Sequence, residues 1–240
     1  IVGEIWHEAQ RWLQGDQFDA VMNYLFTAAS LNFFAGAHLD HEVIQHQGGI
    51  KDRIHRMHGK AFADEVERIL SLYPQDITFS QLNLPDSHDM PRFLSCAGGD
   101  KDSLKLAWLF IFTMPGAPCI YYGDEIGVDG AHDPDCRKSF PWDKSKWDMN
   151  LFEYAKACIS LRKGQKALRR GEYKRVHAED DMMAFARTYK EEAVVVAFNA
   201  SNTPKSFEYK FEKNPRVLFG NPEVSGQHIT VPPRSGVVLK

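Results

Sequence analysis

Apolar and polar positions divide the chain into two unlike stretches. Over the first two thirds, short and nearly continuous apolar runs alternate with longer segments whose apolar residues recur every three to four positions. The runs at residues 1–5, 18–24, 79–84 and 118–122 read as strands, because short apolar runs without a polar face suit a parallel sheet covered on both sides. Between them, Phe62, Val66, Ile69, Leu70 and Tyr73 share helical spacing and stop at Pro74. Leu104, Ala107, Trp108 and Ile111 repeat the pattern, with Asp100 or Asp102 to cap the start and Pro115 to end it. A further helix is predicted from a cap at Asp148 through Leu151, Phe152, Ala155, Cys158, Ile159 and Leu161 to Gly164. This alternation predicts βαβ units, with too few strands to close a barrel. Residues 27–60 break the period at His38-Leu-Asp-His-Glu42 and Gln45-His-Gln-Gly-Gly49, which predicts short helices and a surface excursion.

After Gly171 the pattern changes. Short strand-like runs at residues 182–189, 193–199, 205–211, 217–219, 228–231 and 236–239 are punctuated by Asn199-Ala-Ser-Asn202, Asn214-Pro215 and Asn221-Pro222. Ser206-Phe-Glu-Tyr-Lys-Phe211 alternates as a half-exposed antiparallel strand should. The chain therefore divides into a strand–helix unit at residues 1–170 and an all-β module, read as a sandwich, at residues 171–240.

Composition narrows the function classes. With 43% apolar and 25% charged residues in 240, the chain is an ordinary globular protein. A formal charge of −3 argues against a nucleic-acid partner, which needs a concentrated basic face; Arg169-Arg170 and Lys174-Arg175 are isolated pairs. No apolar run approaches the length of a membrane span or resembles a signal peptide, so no membrane partner is expected. Cys96, Cys119, Cys136 and Cys158 form no Cys-x-x-Cys pair and read as reduced thiols of a cytoplasmic protein. The histidines between His38 and His58 match no ligand spacing, so no metal or other cofactor is expected of these residues.

Acids sit where strands end: Glu4 after the first run, His88 with Asp89 after the third, Asp124 with Glu125 after the fourth. Carboxyl groups at a shared strand mouth suit glycoside hydrolysis, in which one protonates the leaving oxygen and another stabilises or attacks the sugar cation. Ile5-Trp6 is expected to desolvate Glu4, as a proton donor requires. Trp6, Tyr24, Tyr121 and Tyr122 offer flat faces for sugar rings. A single strand-end acid or His-Asp pair is also a common structural feature, so the pattern alone leaves both readings open. Asp124 and Glu125 read as structural acids of their loop.

Gly3-Glu4-Ile5-Trp6-His7, followed by Trp12-Leu-Gln-Gly-Asp-Gln-Phe-Asp-Ala-Val-Met-Asn-Tyr24, resembles the fifth and sixth strands of the α-amylase family, and within it the neopullulanase, cyclomaltodextrinase and maltogenic amylase branch. Asn83-Leu-Pro-Asp-Ser-His-Asp-Met-Pro-Arg92 resembles the seventh-strand motif and Gly116-Ala-Pro-Cys-Ile-Tyr-Tyr-Gly-Asp-Glu125 the eighth. Asp133-Pro-Asp-Cys-Arg137 with Trp142-Asp143 resembles the branch's following loop. The resemblance implies the C-terminal half of a (β/α)8 TIM barrel, strands five to eight, followed by the family's C-terminal sandwich. It assigns Glu4 as general acid/base and Asp89 as transition-state stabiliser. It gives His88 the sugar-binding role in the cleavage subsite, and makes Asp133 and Arg137 the grip on a neighbouring glucose. The implied reaction is retaining hydrolysis of α-1,4 bonds, extending to α-1,6 bonds, in cyclodextrins, pullulan or malto-oligosaccharides.

The family's nucleophile is an aspartate in an Arg-x-Asp motif on the fourth strand. Only three residues precede Glu4, and Lys51-Asp52-Arg53 does not match, so the chain is expected to lack that strand and to be inactive alone. Its expected partners are an α-glucan oligosaccharide or cyclodextrin, the N-terminal half of the barrel that would cover the edges of the first and fourth strands, and, for the intact protein, a second copy in a homodimer. Calcium is left to the intact protein, since no calcium loop is evident. Two alternatives keep the same motifs: a non-catalytic amylase-like binding protein and a transglycosylase.

Overall fold

The computed structural model describes residues 1–46 and 48–240; Gln47, within the Gln45-to-Gly49 segment singled out above, lies outside the described residues. Four two-residue strands, β1 (Val2–Gly3), β2 (Ala20–Val21), β3 (Leu82–Asn83) and β4 (Ala117–Pro118), stand side by side in chain order. β1 pairs with β2 and β3 with β4 in parallel, and a parallel bridge from Met22 to Leu82 joins the two pairs into one arc. At β2 and β3 polar side chains close the ladder early. Asn23 leaves β2 by accepting the Phe26 N–H as a helix N-cap, and donates to Asn83 Oδ1 at 2.9 Å. Asn83 in turn donates to the Pro115 carbonyl at 2.7 Å. Among the described residues the outer edges of β1 and β4 carry no further strand.

The helices are α1 (Tyr24–Ser30), α2 (His41–Ile44), α3 (Gly59–Ser71), α4 (Gln75–Ser80), α5 (Phe93–Cys96), α6 (Lys101–Thr113), α7 (Met149–Gly164) and α8 (Lys166–Arg170). Asp100 caps α6 by accepting from Ser103 N–H, and Asp148 caps α7 from Asn150 and Leu151. Residues 27–35 correct the expected surface excursion: α1 continues into a wider π-wound turn, Leu31–Ala35, and every residue from Tyr24 to Ala35 is buried. A helix enclosed on all sides shows no polar stripe, so its period is invisible in the sequence.

Eight antiparallel strands follow: β5 (Glu172–Glu179), β6 (Met182–Tyr189), β7 (Glu192–Asn199), β8 (Lys205–Glu208), β9 (Val217–Phe219), β10 (Glu223–Ser225), β11 (His228–Val231) and β12 (Ser235–Leu239). They form a five-stranded sheet in the order β5-β6-β7-β12-β9 and a three-stranded sheet in the order β10-β11-β8. The larger sheet is buried on both faces. Met182, Ala184, Ala186, Val195 and Ala197 pack against Phe207, Ile229 and Val231 of the smaller sheet. Their alternates Met183, Phe185, Val194, Val196 and Phe198 join the helical core. Period-two side chains with apolar matter on both sides explain the unbroken runs of β6 and β7.

The helical unit and the β module consequently share one core. Phe34 lies 5.3 Å from Phe62 of α3, 5.7 Å from Phe110 of α6 and 5.2 Å from Phe198 of β7, ring centre to ring centre. Arg187 and Arg234 bind main-chain carbonyls across the same seam, and Arg162 binds carbonyls within the helical unit. Buried Arg187 of β6 donates to the carbonyls of Gly171 and Thr113. Arg162 of α7 serves Phe112, Met114, Leu168 and Gly116, and Arg234 serves Phe34 and Ala200. Contact is closest at Gly59, whose N–H donates to the Asp180 carbonyl in the β5–β6 turn. A Cβ added there would lie 2.1 Å from the Met182 carbonyl oxygen, a backbone atom that cannot swing aside. Gly59→Ala is therefore expected to destabilise the protein by about 1–3 kcal/mol, as overpacking does. The check is the midpoint of urea unfolding, and an unchanged midpoint would show that the seam yields freely.

Candidate active site

The C-terminal ends of β1 to β4 carry the acids singled out from the sequence. Glu4 follows β1 directly and is exposed. Glu4 therefore stays in contact with solvent despite its apolar neighbours Ile5 and Trp6, and Trp6 stacks on Tyr24, ring centres 3.7 Å apart and planes 6° from parallel. That face of Trp6 is closed to a sugar ring, as is Tyr24, which is fully buried. Tyr121 and Tyr122 are also engaged: the Arg92 guanidinium lies 4.4 Å and 5.0 Å from their ring centres. Tyr24 is thus closed to a sugar and one face of Trp6 is covered, while Tyr122 keeps 40% of its surface exposed.

His88 and Asp89 lie on the loop after β3, and the structure brings them together with Asp133 and Arg137. His88 Nε2 is 3.1 Å from Asp89 Oδ2. Arg137 Nη2 donates to Asp89 Oδ1 at 2.9 Å, while its Nε is shared between the His88 carbonyl at 2.9 Å and Asp133 Oδ1 at 2.8 Å. Asp133 and Arg137 therefore make the four-residue ion pair that their spacing allows, and the same guanidinium also orients Asp89 across two loops. Cys136 Sγ adds a contact to the His88 carbonyl at 3.4 Å. Charge-assisted bonds of this kind fix direction as well as distance.

Tyr24 lies beside this group. The Tyr24 hydroxyl shares a hydrogen bond with Ser87 Oγ at 3.1 Å, beside His88. Burial pushes the Tyr24 phenol up to about 12, against the lowering effect of Ser87, and the charges of Glu4, Asp89 and Asp86 add to the rise.

Beneath the loop lies a buried cluster that the motif reading passed over. Arg92 donates to Asp124 Oδ1 at 2.7 Å, the Tyr122 carbonyl at 2.8 Å and the Cys136 carbonyl at 3.0 Å. Asp86 Oδ2 accepts from the Phe93 N–H at 2.6 Å. One signal was present in the sequence: an arginine inside Met90-Pro-Arg-Phe-Leu94 must find a counter-charge if its neighbours are buried. Among the described residues no group of three or more His, Cys, Asp or Glu is placed to hold a metal. Among the described residues no two cysteines form a disulfide.

A parallel arc with acids at its C-terminal ends, followed by two antiparallel sheets, is the architecture of half of a parallel barrel joined to a sandwich. Residues 1–169 match the family described as alpha amylase, catalytic domain, and residues 171–217 match the alpha-amylase C-terminal domain. The chain belongs to the α-amylase family. It is 43% identical over 204 residues to a cyclomaltodextrinase of Geobacillus thermopakistaniensis, covering 84% of this chain and 32% of that protein. Neopullulanase 2 of Thermoactinomyces vulgaris is 42% identical over 83% of this chain and 31% of its own length. The crystal structure of the Nostoc punctiforme debranching enzyme in its native form superposes with a TM-score of 0.91 at 35% identity, covering 99% of this chain and 51% of that one. The chain spans about a third of the length of the curated relatives it matches. Its four-stranded arc is the C-terminal half of a (β/α)8 barrel. Among the described residues no helix is long and apolar enough to cross a membrane.

Proposed function

We propose that this chain supplies the acid/base half of the active site of a retaining α-glucan hydrolase. Its substrates are cyclodextrins, pullulan or malto-oligosaccharides. The observation that carries the reading is the Asp89 carboxylate, held by Arg137 and His88 at the mouth of the parallel arc where Glu4 also ends its strand. Glu4 protonates the glycosidic oxygen as the bond breaks and then activates the water that releases the product. Asp89 and His88 bind hydroxyls of the sugar in the cleavage subsite, and their grip tightens as positive charge grows on the ring. Asp133 and Arg137 hold the neighbouring glucose. The nucleophile and the strands that complete the barrel come from outside residues 1–240. This chemistry runs on carboxyl groups and water, so no cofactor enters the proposal. The intact protein is read as a cytoplasmic homodimer.

The test is to assay residues 1–240 and the intact protein side by side on cyclomaltodextrin, maltoheptaose and pullulan. Turnover is expected from the intact protein alone. Robust hydrolysis by residues 1–240 would overturn the half-site reading, and an intact protein inert on all three glucans would overturn the substrate class.

A further inference from the structure

The cluster beneath the His88–Asp89 loop does not balance in charge as drawn with ordinary ionisation. Asp86 and Asp124 are each 1% exposed and Arg92 is fully enclosed, so two carboxylates and one guanidinium would leave a net negative charge out of water. Nor does it balance in hydrogen bonds. Asp86 Oδ1, Asp124 Oδ2 and Arg92 Nη2 are each buried without a hydrogen-bond partner, and the two carboxyl groups lie within hydrogen-bonding reach of each other. One proton shared by the two carboxyl groups removes the excess charge and supplies a donor between them.

We propose that Asp86 and Asp124 share a single proton, and that this protonated pair positions the His88–Asp89 loop for the reaction proposed above. The second half of that statement rests on the catalytic reading; the first half does not.

The connections are local. Asp86 holds the far end of the loop through the Phe93 N–H, and the Arg92 N–H donates to the Gly130 carbonyl at 2.9 Å. Arg92 Nε holds the carbonyl of Cys136, the residue before Arg137. Loss of the shared proton sets two carboxylates against each other and shifts Asp89 relative to the guanidinium that orients it. Other titratable groups facing the cluster are Tyr24 from α1, Cys119 and Tyr121 from the segment after β4, and Cys136 from the following loop. Burial raises all four, which keeps them neutral near pH 7. Tyr122 contributes its carbonyl to Arg92. Burial also raises both aspartates, and the charge of Asp86 raises Asp124 further.

The experiment compares the intact protein with Asp86→Asn, Asp124→Asn and the double variant. An amide at either position supplies the N–H that the proton would otherwise provide, so each single variant should fold. The double variant leaves Arg92 buried without a counter-charge and should melt well below either single. A carboxyl raised by folding stabilises fully below its unfolded pKa, and that contribution is lost as pH rises through the folded value. Wild type should therefore lose stability relative to each single variant as pH rises above the ordinary carboxylate range, at up to about tenfold in the unfolding constant per pH unit. Thermal melts across that rise read this directly. An infrared band of a protonated carboxyl in wild type, lost in Asp124→Asn, reads the proton without reference to stability.

Parallel melting curves and no such band would overturn the shared proton. For the positioning role, kcat on cyclomaltodextrin should fall on the alkaline side in wild type at up to about tenfold per pH unit, with the fall removed in the single variants. An identical alkaline fall in all three, or no hydrolysis by any, would overturn that role while the melts and the infrared band still decide the proton.

Discussion

Glu4→Gln in the intact protein is expected to lower kcat on cyclomaltodextrin by about 10²–10⁴-fold, the usual contribution of a positioned general acid. The amide keeps the size of the side chain but carries no proton that it can give away. Substrate binding should survive, because Asp89, His88, Asp133 and Arg137 are tied to one another rather than to Glu4. A second measurement separates lost chemistry from lost shape. Fluoride leaves maltosyl fluoride without protonation, so the burst of fluoride released as the glycosyl-enzyme forms should be slowed far less than cyclomaltodextrin hydrolysis, although the later attack by water still lacks its base. Equal losses on both substrates would mean that the variant disturbs the mouth of the barrel, and a loss under about tenfold on cyclomaltodextrin would remove Glu4 from the acid role.

Phe34→Ala should be the most destabilising single change, at about 3–5 kcal/mol. The ring is fully buried and meets Phe33, Phe62, Phe110 and Phe198, so its removal opens a cavity bounded by α3, α6 and β7 together. These walls belong to different elements and cannot close on the void without moving the β module against the helices. Calorimetry should show a lower melting temperature, and the single transition should broaden or split as the two units lose their common centre. A variant that melts within a few degrees of wild type in one sharp step would contradict the shared core.

How far the sequence revealed this architecture depended on whether burial left a contrast to read. The helices at α3, α6 and α7 were legible because polar caps or terminators bound apolar positions at helical spacing. Residues 24–35 were not, since enclosure on every side removes the polar face that marks a helix. β5 escaped for the opposite reason: as an edge strand, Glu-Tyr-Lys-Arg-Val-His-Ala-Glu is charged and only partly buried, which guards an edge but hides its period. At the site, His88, Asp89, Asp133 and Arg137 stood out as motif residues, and the structure gathers them. What the motifs could not give was orientation. Trp6 and Tyr24 read as sugar platforms until their stacking on each other was seen, and Glu4 as desolvated until its exposure was seen. The Arg92 cluster is formed by loops after two different strands, so no local pattern pairs Asp86 with Asp124.

The arginines along the seam have a consequence for how this protein can change over generations. Arg187 binds only main-chain carbonyl oxygens, those of Gly171 and Thr113, which every residue type provides. The side chain at Thr113 can therefore drift without removing an acceptor, while the donor has no substitute of the same reach and fork. Arg234 differs, because it also binds the side chains of Asp100 and Ser103, so constraint there falls on both sides of the joint.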